Sequence, residues 1–163
     1  MLTATSAVGM DVYNKNADLK EKQRTNFTFL GVNVGIGTTA PRAKFDVEGH
    51  TRLKTVSYNV ETLSIASNIV RVDLSKAQNF NLTLSSNVTY FEIANVPSGV
   101  SDFVIKIIQD STGARTADID NFQPVGGGTQ YPVYWPAGGV LPIVTTTASR
   151  SDIYSYRTRS EER

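Results

Sequence analysis

Few residues of this 163-residue chain belong to the types that carry acid–base, nucleophilic or metal chemistry in proteins. His50 is the only histidine, and the chain contains no cysteine. A Ser-His-Asp triad would have to use His50, and neither a histidine cluster nor a thiolate metal site can form. His50 also follows Gly49, a pair typical of a turn. We therefore predict a protein that is not an enzyme and that has no catalytic residues, metal or cofactor.

The closest approach to a cation site is the pair Asp118 and Asp120, which are two residues apart. Ca²⁺ takes roughly six to eight oxygen ligands. Only Asn121 is near enough in sequence to add another oxygen, so we interpret the pair as solvated residues at a strand end. No two carboxylates stand out as the acid and the nucleophile of a glycosidase.

Aromatic residues are concentrated in residues 130–136, which read Gln-Tyr-Pro-Val-Tyr-Trp-Pro. Tyr and Trp combine apolar area with a polar group, which suits stacking on a sugar ring. Tyr131, Tyr134 and Trp135 are therefore candidate glycan contacts. The alternative is that Trp135, the only tryptophan, anchors a core or an interface.

The charge balance argues against two classes of partner. The 16 Lys and Arg residues nearly cancel the 15 Asp and Glu residues, which leaves a net charge of +1. Such a chain has no bulk field to draw it to nucleic acid or to an anionic membrane. No apolar run approaches the roughly 20 residues that span a bilayer, and the first residues do not resemble a signal peptide. We expect neither nucleic acid nor membrane as a partner, and assembly in a cytoplasm.

Period-two patterns dominate from about residue 61 onward. Val70, Val72 and Leu74 alternate with polar residues, and turn signals recur every 8 to 12 residues or so. Residues 103–109 are apolar on both faces, which predicts a central strand. This spacing predicts an all-β fold with little helix. We assign residues 61–163 to a C-terminal antiparallel β-sandwich of jelly-roll type.

Residues 31–60 begin with a different alternation, because one face of residues 31–37 is almost bare and carries Gly35 and Gly37. A bare glycine face lets another backbone approach closely, but it weakens an isolated strand. We therefore predict a β stem that is ordered by other copies of the chain. The alternative is that the glycines mark a bulge or turn in a monomeric sheet. The predicted stem residues are Val32, Val34, Gly35, Ile36, Gly37, Pro41, Phe45 and Val47.

The N-terminal residues 1–30 form a third region, which is polar and rich in lysine between residues 11 and 24. Its apolar residues are too few for a core-facing stripe. We interpret it as an attachment segment that orders only against a partner. A terminus without a role is the alternative.

Residues 34–49, Val-Gly-Ile-Gly-Thr-Thr-Ala-Pro-Arg-Ala-Lys-Phe-Asp-Val-Glu-Gly, resemble a module that recurs in tail fibres and related appendage proteins of bacteriophages. The module is usually written VGIGTT-x-P-x-x-x-L-D-V-x-G, and here Phe45 replaces the usual leucine. The resemblance implies an intertwined trimeric stem. Residues 72–75, 109–113, 134–139, 145–147 and 152–156 are similar to a β-rich domain at the C-terminus of phage minor structural proteins.

The resemblance implies a structural component of a bacteriophage virion. We expect a small homotrimeric tail fibre that contacts the host, through a surface glycan, or neighbouring virion proteins, through residues 1–30. A capsid or tail decoration protein, or an adaptor onto which other appendages dock, is the alternative. A glycan-degrading enzyme is a third class.

Overall fold

The computed structural model describes residues 33–158. These residues belong to two compact units, with the division between Lys54 and Thr55. The predicted attachment segment 1–30 and the stem residue Val32 lie outside the described residues. Within the described part of the chain, no helix is long and apolar enough to cross a membrane.

The first unit contains a small parallel sheet of two strands, β1 (Val34–Ile36) and β2 (Phe45–Val47). The register sets Val34 beside Phe45 and Ile36 beside Val47. Because side chains alternate between the two faces of a strand, these four apolar residues share one face. Phe45 is 60% exposed and Ile36 is 53% exposed. We call these four residues the stem face, and a single chain leaves it largely uncovered.

The glycines of this unit are required by the chain's own turn. A Cβ atom on Gly35 would lie 2.6 Å from the carbonyl oxygen of Thr38. Gly37 has φ +76°, and a Cβ there would lie 2.8 Å from the carbonyl oxygen of Glu48. A backbone does approach the glycines closely, as predicted, but it belongs to the same chain. The trimeric stem stays a prediction.

The second unit is built from strands that alternate between two sheets. Sheet I has the order β10-β8-β6-β3, and sheet II has the order β4-β5-β7-β9. A four-residue helix, α1 (Pro136–Gly139), precedes the last strand. The strands are β3 (Val60–Leu63), β4 (Ile65–Ala66), β5 (Ile69–Asp73), β6 (Asn79–Leu84), β7 (Tyr90–Ala94), β8 (Ser101–Gln109), β9 (Phe122–Pro124) and β10 (Ser151–Thr158).

The all-β prediction is confirmed, and two sheets around one core are compatible with the predicted sandwich. The predicted antiparallel pairing was wrong for most of the strands. The β3–β6, β6–β8, β5–β7 and β7–β9 pairs are parallel, and only β4–β5 and β8–β10 are antiparallel. In each parallel pair the chain passes through the other sheet between the two strands and returns in the same direction, whereas β8 and β10, which are also separated by a strand of the other sheet, run antiparallel. Alternation of side chains reports a half-buried strand but not its direction.

The core lies between the alternating inward faces of these strands. β8 occupies an interior position in sheet I, as its two apolar faces predicted. The fully buried members come from both sheets and from the loop before β9; they are Phe80, Leu82, Leu84, Ile105, Ile107, Val70, Val72, Phe91 and Ile119.

Candidate functional site

A cleft of 1270 Å³ lies along β10 in the second unit. One wall is the strand itself, from Ile153 to Thr158. The opposite wall is the aromatic segment 131–136 together with Val140 and Pro142. We call this the aromatic cleft. Tyr131 forms an isolated bridge to Phe122 of β9, and the segment then continues outside both sheets, where Pro132 and Pro136 lack backbone N–H groups.

Stacked and edge-on aromatic rings support the cleft from the core. The Tyr156 ring packs 5.1 Å from Phe103 and 5.0 Å from Phe122, centroid to centroid. Its hydroxyl donates a hydrogen bond to the carbonyl oxygen of Ile119 at 3.0 Å. Burial raises the pKa of Tyr156 well above its usual range. Tyr156 therefore stays neutral and fixes β10 against the core.

Trp135 joins this aromatic group from the opposite wall. Its ring makes edge contacts with Tyr156 at 5.8 Å and with Tyr154 at 6.4 Å between centroids. Its indole Nε1 is buried, and among the described residues it has no hydrogen-bond partner. The ring therefore anchors the aromatic segment to β10, as the core-anchor alternative for Trp135 requires.

The other two predicted glycan contacts lie in the same cleft but differ in exposure. Tyr134 is 73% exposed, the most open aromatic ring of the cleft. Tyr131 is 36% exposed, and its backbone N–H donates to the carbonyl oxygen of Phe122 at 2.7 Å. The structure thus brings Tyr131, Tyr134 and Trp135 together. Only Tyr134 presents a largely free ring face.

The sequence did not indicate that β10 itself forms a wall. Gln109 N–H donates to the carbonyl oxygen of Arg150 at 2.8 Å. Gln109 and Arg150 are thus a hydrogen-bonded pair, and along antiparallel strands such pairs alternate with pairs that are not hydrogen-bonded. Tyr154 and Tyr156, at even spacing from Arg150, therefore direct their main-chain N–H and C=O groups toward β8. Ile153, Ser155 and Arg157 then turn theirs away from β8. Within the described residues, no main-chain hydrogen bond joins these three to another segment.

The lining of the cleft is almost neutral. Among the described residues that line it, the only cationic side chain is Arg157, whose Nε and Nη2 donate to the two carboxylate oxygens of Asp102 at 2.7 and 3.0 Å. Burial, and to a lesser degree the carboxylate of Asp152, raises the pKa of Tyr154 to about 12. The arrangement offers apolar packing, exposed aromatic surface and main-chain pairing, but no free acid or base.

The acidic pair lies outside this cleft. Burial raises the pKa of Asp118, and a hydrogen bond with Asp120 raises it further. Asn121 Nδ2 donates to Asp118 at 3.3 Å. In the part of the chain that the structure describes, no group of three or more His, Asp or Glu side chains could hold a metal ion.

Comparison with known proteins identifies no relative. No protein family, no curated protein and no solved structure matches this chain.

Proposed function

We propose that this protein is a structural component of a bacteriophage virion, a small homotrimeric tail fibre. The observation that carries the proposal is the stem face. Two large apolar side chains, Ile36 and Phe45, are more than half exposed on a sheet of only six residues. The described residues of their own unit leave most of both side chains uncovered, and a surface of this kind gains most from burial against other copies.

The sequence of the same sheet supports a fibre in particular. Val34, Ile36, Phe45 and Val47 stand at the apolar positions of the phage appendage module. The register of β1 and β2 turns all four to one side. Three such faces can meet about a threefold axis without any further element.

The C-terminal unit then supplies the outward contacts. Tyr134 offers an exposed ring for a host glycan. Stacking on such a ring needs no charged partner, which agrees with the neutral lining.

The second candidate function is that of a decoration or adaptor protein. It is favoured by the size of the apolar cleft, which suits a neighbouring virion protein better than a single sugar.

Detection of the chain in purified particles tests the proposal. Mass spectrometry should find the protein in intact virions, and labelling with an antibody against residues 55–163 should mark a projection at the tail. Label spread over the capsid would favour the decoration protein. Absence of the chain from particles that infect normally would refute both.

The Tyr134→Ala variant separates the two outward roles. We expect it to weaken attachment to host cells while the trimer persists, with Tyr131→Ala as the matched control at a less exposed ring. By analogy with aromatic stacking on bases, the loss is at most about 1 to 3 kcal/mol. Unchanged attachment would remove Tyr134 as a glycan contact and favour the adaptor.

A further inference from the structure

The face of sheet I that is turned away from the core carries an apolar patch at one end. We propose that this patch packs against the same patch of two further copies about the threefold axis of the fibre. The inference rests on the trimer in the proposed function and adds an interface in the C-terminal unit. We call it the outer patch, and its residues are Tyr58, Val60, Val100 and Val104.

The register of sheet I places two of these residues in one row across the sheet. Val60 of β3 pairs with Asn79 of β6, and Asn79 pairs with Val104 of β8. The row ends at Ser155 of β10. Ile105, next to Val104 along β8, is fully buried. Because side chains alternate along a strand, the row containing Val104 lies on the outer face.

Tyr58 and Val100 extend the patch beyond the ends of the strands. Both line, together with Asn79 and Val104, a pocket of 350 Å³. Tyr58, Val60 and Val100 are each more than half exposed, and Val104 is half-buried. Single apolar side chains are common on protein surfaces, but a contiguous group of them usually marks an interaction site. A side chain from a second copy would fill the pocket.

The position of the patch in the chain favours a second copy as its partner. Tyr58 is the fourth residue after Lys54, at which the first unit ends. A tether of four residues reaches at most about 14 Å. Three chains joined at their stems therefore hold three copies of this patch close to one another. Such a linkage acts as a high effective concentration, so a patch smaller than a standard interface is sufficient.

The charges around the patch limit the contact to this end of the sheet. The four residues of the patch are uncharged. Asp102, in the wall of the pocket, is paired with Arg157 at 2.7 Å between Oδ1 and Nε, so this pair adds no net charge beside the patch. Lys106 lies two residues beyond Val104 on the same face. Three lysines near an axis would repel one another, so the copies meet at the Tyr58 end and diverge toward Lys106.

Cross-linking through a single cysteine tests the interface in the full chain, since the natural sequence has no cysteine. The test variant is Val100→Cys, which replaces an exposed side chain by one of similar size. The control is Ser151→Cys, which is exposed on the same face at the opposite edge of the sheet. A short bismaleimide should convert Val100→Cys into covalent dimers and Ser151→Cys into few. Because the reagent joins chains in pairs, one chain of each trimer should remain single.

A charge placed in the patch should remove the cross-link without unfolding the unit. In the Val100→Cys background, Val60→Asp should reduce the yield about tenfold, because three carboxylates would be brought together away from water. Val60→Thr keeps the β-branched shape and should keep most of the yield. Val60 is more than half exposed, so near-UV circular dichroism of both variants should show the native aromatic signal.

The proposal fails if Val100→Cys cross-links no better than Ser151→Cys, or if Val60→Asp and Val60→Thr give equal yields. Dimers that take up every chain would indicate a twofold contact and overturn the threefold one. A trimer in sedimentation without these cross-links would support the fibre and overturn this interface. If Val60→Asp then still kept the chain out of particles, the patch would bind another virion protein. Cross-links that survive Ile36→Asp would support the patch and overturn the stem as the source of the trimer.

Discussion

Replacement of Trp135 measures how much the aromatic segment contributes to the stability of the second unit. We expect Trp135→Ala to destabilise this unit by about 2 to 3 kcal/mol. Trp135→Phe should stay within about 1 kcal/mol of the natural protein, since it keeps a ring against Tyr154 and Tyr156 and removes the unpaired indole N–H.

The magnitude follows from two opposing contributions. Trp135 is half-buried, so its truncation costs about 3 to 4 kcal/mol, the lower part of the range for a buried tryptophan. Two edge-on ring contacts account for about 0.5 to 1.5 kcal/mol each within that cost. The unpartnered indole N–H disfavours the folded state by about 1 kcal/mol, the lower end for a buried donor, and alanine removes this penalty. The difference is the expected 2 to 3 kcal/mol, or about as much as one good core contact.

Thermal unfolding followed by circular dichroism is the assay. The second unit spans Thr55–Arg163. A domain of that size has an unfolding entropy near 0.23 kcal/mol/K, so about 2.5 kcal/mol lowers the Tm by about 10 °C. Trp135→Phe should lower it by no more than about 4 °C. An alanine variant as stable as the phenylalanine variant would refute the anchoring role of the ring.

Three further predictions concern assembly and pH. Ile36→Asp should yield monomers with a folded C-terminal unit, because three like charges would meet in the stem. Analytical sedimentation measures the mass, and an intact trimer would show that the stem is elsewhere. Deletion of residues 1–23 should abolish incorporation into particles without changing the trimer; normal incorporation would place attachment elsewhere. Hydrogen bonds from Asn95 and Ser75 lower the pKa of Asp73 to about 2, so its stabilisation is present above about pH 4 and is lost as the pH falls toward 2. Urea unfolding should therefore find Asp73→Asn less stable at pH 7, by under about 1 kcal/mol after screening, and most of this difference should be gone at pH 2; a pH-independent difference would contradict this.

Strand positions were largely predictable from the sequence, because alternating side chains directly report a half-buried strand. Val70 and Val72 are buried as their spacing indicated. The direction of pairing was not predictable. The turns after Ala94 and Gln109 read equally well as hairpin turns or as crossings to the other sheet, and only the packing of two sheets on one core decides between them.

The candidate site was predictable in part. Aromatic density singled out Tyr131, Tyr134 and Trp135, and the structure brings them into one cleft. Composition could not separate the exposed Tyr134 from the anchored Trp135, because the difference depends on Tyr154 and Tyr156 of a strand about 20 residues further along. Residues 131–135 and 140–144 belong to no strand, and Pro132 and Pro142 each remove one main-chain donor from these stretches.

The alternation of strands between sheets I and II has a kinetic consequence. Val60 pairs with Asn79, and Phe91 pairs with Phe122, so most neighbours are separated by another strand in sequence. Folding cannot start from a local hairpin in sheet I, and closing these long loops slows the search for native pairs. During synthesis, the main-chain groups of β8 that pair with β10 stay unpaired until β10 emerges some 40 residues later. A nascent chain therefore exposes an apolar strand edge over this interval, during which pairing with another chain competes with the native pairing.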